Sequence, residues 1–150
     1  MVFEPMSDKS TAERIADGVQ VFKGMKPDPV NLDKLLWYQT TFAPLLFEFS
    51  VEVGGLYRQK NETELQRRNA YNKARWGYMV EGNSAAKAEA RASVDIETLL
   101  NNEQQSDAEY KTAILLLDHA RDVLQAIVQV ISHLKAEKRA ESYGGGSQAV

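Results

Sequence analysis

The clearest pattern along the chain is a repeat of apolar residues at alternating steps of three and four over residues 85–134. Twelve of the fifteen positions in this register are apolar, and the register continues for seven heptads. Such a long register is typical of a coiled-coil seam rather than of an ordinary amphipathic helix. It predicts one long helix from about Ala85 to Glu141. The predicted core seam includes Tyr110, Leu117, Leu124, Ile127, Ile131 and Leu134.

The seam is interrupted at Glu103 and Ser106, inside the polar stretch of residues 101–107. We expect this stretch either to face solvent or to pack loosely against the equally polar residues 61–64. Outside the seam, residues 113–131 carry a second apolar face that one partner helix cannot cover. This surplus of apolar surface predicts that the protein forms a homo-oligomer.

A second long helix is predicted over residues 32–81, with a very apolar first half and an amphipathic second half. Pro44 should kink it, because proline removes a backbone hydrogen bond. Residues 47–53 alternate strictly between apolar and polar types, which is a strand pattern, yet they also fit helical spacing. We favour the helix because a lone strand has no partner for its backbone, although Gly54-Gly55 leaves a break possible.

The N-terminal part of the chain predicts a short helix that begins at a capping box formed by Ser10 and Glu13. It should end near Gly24, before the two prolines of residues 26–29, which exclude a helix. One apolar face of this helix consists of Ile15, Val19 and Phe22.

A turn at Gly82-Asn83-Ser84 joins the two long helices, because glycine favours a helix C-terminus and asparagine or serine favours the next N-cap. The predicted fold is therefore all-α: a long antiparallel, coiled-coil-like helical hairpin with a short N-terminal helix. We divide the chain into an N-terminal arm and short helix (1–30), the hairpin (31–141) and a glycine-rich tail (142–150).

Composition narrows the class of protein. The 150 residues suffice for one domain, and the absence of cysteine excludes disulfides, thiolate catalysis and cysteine-ligated zinc. No apolar run is long enough for a membrane span, and the N-terminus lacks the pattern of a signal peptide. We expect a cytoplasmic protein that does not contact membranes.

No pattern of residues predicts catalysis, a cofactor or a metal site. His119 and His133 are too far apart on one helix to share a metal ion. Carboxylates at helical spacing, such as Glu48 with Glu52, lack the Glu-x-x-His units of di-iron bundles. We therefore expect a protein that is not an enzyme and that needs no cofactor.

Residues 57–91, which we call the basic-aromatic region, hold eight basic and four acidic residues, although the whole chain has a net charge of -3. A hairpin would gather them near its turn, with tyrosine and tryptophan between them. Three interpretations stay open: a single-stranded nucleic-acid site, a protein-partner site, or an ordinary salt-bridged helix face. The candidate binding residues are Arg67, Arg68, Lys73, Arg75, Trp76, Lys87 and Arg91.

Residues 71–75, 81–92 and 110–137 resemble small coiled-coil hairpin proteins of bacteriophages and prophages. The shared pattern is a helix, a Gly-x-Ser turn, a helix start rich in alanine and glutamate, and a closing stretch like residues 123–135. The resemblance covers roughly residues 70–140 and leaves the apolar residues 32–57 outside. It implies a phage setting and a viral protein, but no activity and no functional residues.

Together these features predict a phage-type binding or assembly protein. Its most specific form is an accessory factor of phage DNA replication or recombination that binds nucleic acid or a protein at the turn. One alternative is a structural or assembly component of the virion. Another is an inhibitor that docks on a host or defence protein. The expected location is the host cytoplasm, or the virion if the protein is structural.

Overall fold

The structure is a computed structural model of the chain, and it describes residues 8–25 and 31–144. Four helices follow one another in the described ranges: α1 (Thr11–Lys23), α2 (Leu32–Val80), α3 (Ala85–Asp95) and α4 (Glu97–Gly144). These ranges contain no strand, which confirms the predicted all-α class. The predicted arm before residue 8, the break at residues 26–29 and residues 145–150 of the predicted tail lie outside the described residues. Residues 142–144, which we assigned to the tail, belong to α4.

Helix α1 begins at the predicted capping box. The Ser10 hydroxyl accepts a hydrogen bond from the Glu13 backbone N–H at 3.3 Å, and the Glu13 carboxylate accepts one from the Ser10 backbone N–H at 2.9 Å. This second bond, which favours the charged carboxylate, lowers the pKa of Glu13. Gly24 caps the other end. Both ends of α1 therefore fall where the sequence predicts them.

Helix α2 is continuous, and residues 47–53 are helical rather than a strand. Helical spacing decides this segment, because Leu45, Phe49 and Val53 recur every four residues and all three are buried. Pro44 lies inside the helix on its exposed side, where water can bind the carbonyl that loses its partner. The possible break at Gly54-Gly55 does not occur.

The turn after α2 has the hydrogen bonds of a Schellman motif. The Gly82 N–H donates to the Met79 carbonyl at 3.0 Å, and the Asn83 N–H donates to the Tyr78 carbonyl at 3.1 Å. Gly82 has a φ of 87°, a conformation that favours glycine. Ser84 is the N-cap of α3 and accepts from the Lys87 N–H. The helices therefore end and begin around residues 82–84, as predicted.

The structure differs from the prediction at Ile96, which separates α3 from α4. Its backbone, with φ -99° and ψ 7°, departs from helical geometry, although its N–H still bonds to Ala92 and its carbonyl to Leu100. β-Branched residues have a lower helix propensity, and two of them lie at positions 94 and 96. The Ile96 side chain is nevertheless buried, as we expect for its position in the predicted seam.

The chain divides into two compact units, and each is described by itself. Unit 1 comprises Met1–Val51 and Leu115–Val150, and unit 2 comprises Glu52–Ile114. In unit 1, the predicted seam residues Leu117, Ile127, Ile131 and Leu134 are buried, and Leu124 is half-buried. In unit 2, Tyr110 is half-buried. These residues therefore belong to the interiors of the two units.

The core of unit 1 is built around a close approach between α1 and the start of α2. The buried Tyr38 hydroxyl donates a hydrogen bond to the Gly18 carbonyl, and burial raises the pKa of Tyr38. The rings of Tyr38 and Phe42 stack with centroids 5.3 Å apart. A Cβ atom at Gly18 would lie 2.6 Å from the Phe42 ring. Gly18 therefore allows α1 to contact these two rings directly.

No helix in the described ranges carries an apolar stretch that could cross a membrane.

Candidate binding surface

In unit 2, side chains of α2 form polar and aromatic contacts with α3 and α4. From Arg75 to Tyr57, a residue nearer the N-terminus of α2 contacts a residue nearer the C-terminus of the later helices. The contacting pairs are Tyr78 with Asp95 (2.6 Å), Arg75 with Glu89 (3.0 Å), Arg67 with Glu103, Lys60 with Asp107 (3.1 Å), and the rings of Tyr57 and Tyr110 (5.4 Å). These contacts fix which side chains of residues 57–91 remain available to a ligand.

Three of the predicted binding residues are arginines that form ion pairs within unit 2. Arg67 pairs with Glu103 and Arg75 pairs with Glu89, both on the neighbouring helices. Arg68 pairs with Glu64, one turn earlier on α2, at 2.5 Å. Their charges are partly compensated, so these three arginines fit the salt-bridged interpretation better than the binding one.

The other predicted basic residues have no carboxylate partner among residues 8–25 and 31–144. Lys73 and Lys87 are exposed and form no ion pair in these ranges. Arg91 is also exposed, and its guanidinium carbon lies 5.4 Å from the centroid of the Tyr78 ring. A cation over an aromatic ring keeps its full charge. Among the candidate binding residues, Lys73, Lys87 and Arg91 are therefore the positive charges that an anionic ligand would meet.

Trp76 is the most available aromatic side chain of the basic-aromatic region. It is 68% exposed, and Val80, one helical turn later on the same side of α2, is 71% exposed. Lys73 lies on that side too, one turn before Trp76. Val80 is not among the binding residues predicted from the sequence. Its position four residues after Trp76, in a polar stretch, was the available signal.

Tyr78 lies on another side of α2, between two shallow grooves. One groove is bordered by Lys87, Arg91 and Val94, and the other by Lys73 and Gly77. The Tyr78 hydroxyl donates to the Asp95 carboxylate, and this hydrogen bond raises the pKa of Tyr78. The sequence did not predict the contact between Tyr78 and Asp95, because the two residues are 17 positions apart and belong to no recognisable motif.

The polar interruption of the seam is packed inside unit 2. Ser106 is buried, and together with Thr63 it lines a small polar cavity. Asp107 accepts hydrogen bonds from Lys111 and Lys60, and these two cations hold its pKa below the ordinary value. Each of the two alternatives therefore describes part of the stretch: residues 103, 106 and 107 are at least half-buried, and residues 101, 102, 104 and 105 are exposed.

The histidines and carboxylates of the described residues form no cluster that could hold a metal ion. No group of three or more His, Asp or Glu side chains in these ranges lies close enough to hold an ion. His119 is exposed, and His133 lies 3.2 Å from Glu137 of the same helix.

No family model, curated protein or solved structure matches the chain. The proposed function therefore rests on the surface of unit 2 and on the sequence pattern alone.

Proposed function

We propose that the protein is a non-enzymatic binding protein that takes single-stranded nucleic acid on its basic-aromatic region, as an accessory factor of phage DNA replication or recombination. The observation that carries this proposal is Trp76, a 68% exposed indole with Lys73 one turn away on the same side of α2. Proteins bind single strands by stacking bases on such rings and by neutralising phosphates with nearby cations. The phage setting comes from the sequence resemblance.

We assign each candidate residue a role that is consistent with its contacts in unit 2. Trp76 would stack on a base, and Lys73, Lys87 and Arg91 would contact phosphates. Arg67 and Arg75 would instead hold the helices of unit 2 together, since each pairs with a glutamate of a neighbouring helix. Arg68 would stabilise α2 itself, since it pairs with Glu64 one turn earlier. These two groups should therefore behave differently when they are substituted.

The scaffold of this surface is proposed to be an antiparallel, coiled-coil-like hairpin of α2 with α3 and α4. The order of the contacts between α2 and the later helices in unit 2 supports it, as does the turn around Gly82. We further propose that the protein is a homo-oligomer, because unit 1 exposes several large apolar side chains of α2. Its proposed location is the host cytoplasm.

Replacing Trp76 tests the nucleic-acid proposal. Trp76→Ala should raise the dissociation constant for a single-stranded oligonucleotide by about 5- to 150-fold, because one stacked base contributes about 1–3 kcal/mol. Fluorescence anisotropy with a labelled oligonucleotide measures this. Tyr143→Ala is the matched control, since Tyr143 is an exposed aromatic residue of unit 1. Equal affinities of the two variants would contradict the proposal.

A protein partner is the second candidate, and one observation favours it. Val80 and Val94 are exposed apolar residues within or beside the basic-aromatic region. Virion components and inhibitors of host or defence proteins use such surfaces. Co-purification of one stoichiometric protein, lost in Val80→Ser/Val94→Ser, would support an inhibitor. Presence of the protein in purified virions would support a structural role.

A further inference from the structure

Helix α2 is apolar on two opposite sides within unit 1. On the inner side, Leu35 and Phe42 are buried. On the outer side, Trp37, Phe47 and Val51 are 48%, 71% and 58% exposed. Single exposed apolar residues are common, but three large ones on one side of four helical turns form a patch that costs solvation free energy.

The outer residues follow a heptad register. Trp37, Pro44 and Val51 recur every seven residues, and Thr40 and Phe47 do so three positions later. All five are exposed. This is the a/d spacing by which one helix packs along another. The register therefore indicates that the outer side of α2 accepts a helix.

We propose that this helix is the same segment of a second copy, packed antiparallel. The charges flanking the patch carry this choice. Lys34 and Glu48 are exposed and occupy the same flanking position of the heptad, fourteen residues apart. In an antiparallel pair of identical helices this flank meets itself, so Lys34 of each copy lies beside Glu48 of the other.

The opposite flank is compatible with the same arrangement. Leu36, Ala43 and Ser50 occupy it, and none is charged. Two copies can therefore approach along this flank without repulsion between like charges. In the antiparallel register, Trp37 of one copy lies opposite Phe47 of the other, so large side chains pack across a two-fold axis near residue 42. None of these residues belongs to the basic-aromatic region.

This inference rests on the self-association proposed above and names its surface. Sedimentation velocity of the full chain over a concentration series, without nucleic acid, tests it. The wild type should be dimeric, and Phe47→Ser/Val51→Ser should raise the dimer dissociation constant at least about tenfold, since two apolar side chains leave the interface. Leu115→Ser is the matched control, because Leu115 is a 70% exposed apolar residue of unit 1 on α4.

A charge exchange tests the antiparallel arrangement. Lys34→Glu and Glu48→Lys should each weaken the dimer several-fold, because each places like charges together twice. An equimolar mixture of the two variants should form a heterodimer, in which both pairs are again opposite in sign. This result requires no loss of fold, so it supports the interface even if the serine variant loses helix content.

The possible outcomes distinguish the proposal that the protein self-associates from the proposal that it does so through the outer side of α2. A wild type that stays monomeric at every concentration would overturn both self-association and this interface, and would leave the outer side of α2 to a different protein. A dimer that the serine substitutions leave unchanged would overturn the interface alone. Failure of the two charge variants to form a heterodimer would overturn the antiparallel arrangement. Nucleic-acid binding is measured separately and is unaffected by any of these results.

Discussion

Gly18 shows how a single residue sets the packing of unit 1. Its missing side chain lets the rings of Tyr38 and Phe42 lie against the backbone of α1. The Tyr38 hydroxyl uses this proximity to donate to the Gly18 carbonyl. In the sequence, Gly18 is one more glycine inside a predicted helix, where it weakens the helix by about 1 kcal/mol relative to alanine. Its packing role depends on residues 20 or more positions away, which no local pattern reveals.

Gly18→Ala should destabilise the protein by about 1–3 kcal/mol, because the new methyl group overlaps the Phe42 ring and this outweighs the gain in helix propensity. Chemical denaturation followed by circular dichroism measures the change. Gly54→Ala is the control, since no atom lies within 4 Å of its added Cβ. It should stabilise α2 by about 0.5–1 kcal/mol. Equal effects of the two substitutions would show that Gly18 is not closely packed.

Tyr38→Phe should cost about 1 kcal/mol, the usual value for one lost hydrogen bond. Because burial raises the pKa of Tyr38 in the folded protein, its contribution is complete below about pH 10 and decreases as the pH rises above that value. The variant should therefore lose less stability than the wild type between neutral and strongly alkaline pH. Thermal melts across this range test it, and parallel curves would contradict the role of Tyr38.

At the scale of the helices, local signals placed most ends correctly. The capping box at Ser10 and the turn at Gly82 can both be predicted from local sequence, because the residues that satisfy the backbone hydrogen bonds lie within a few positions of each other. The pattern of residues 47–53 fits both a strand and a helix. The burial of Phe49 and Val53, which are four residues apart, agrees with the helix. The break at Ile96 was not predicted, since neither glycine nor proline marks it.

Asp107 of α4 forms one ion pair with Lys60 of α2 and another with Lys111 of its own helix. Lys111 and Lys60 lower the folded-state pKa of Asp107 below its unfolded value of about 3.9. Its contribution to stability is therefore present above about pH 4 and is lost as the pH falls through the lower folded value. In Asp107→Asn, the free energy of unfolding should therefore fall less steeply with decreasing pH than in the wild type. Asp122→Asn, which changes an exposed carboxylate of α4 that forms no ion pair in the described ranges, is the matched control. Chemical denaturation over a series of acidic pH values compares the two variants with the wild type.

At the scale of the whole molecule, the sequence predicts where positive charge is concentrated. It does not predict which of the cationic side chains remain unpaired and can contact a ligand. The excess of positive charge in residues 57–91 is visible as composition. Which arginines are neutralised depends on contacts such as that of Arg67 with Glu103, 36 residues away. The same contacts leave Lys73 and Lys87 to a ligand. The candidate site is thus smaller than the sequence suggested, and Trp76 is its aromatic centre.

The salt dependence of binding to a single-stranded oligonucleotide tests this account most directly. Each cation that neutralises a phosphate should contribute about 0.7 to the slope of log affinity against log salt. We predict binding by the wild type at low salt, and a slope about 1.4 shallower for Lys73→Ala/Lys87→Ala than for the wild type. Lys135→Ala/Lys138→Ala, which removes two exposed lysines of unit 1, should keep the full slope. Absence of binding at low salt, or equal slopes for all three proteins, would contradict the account.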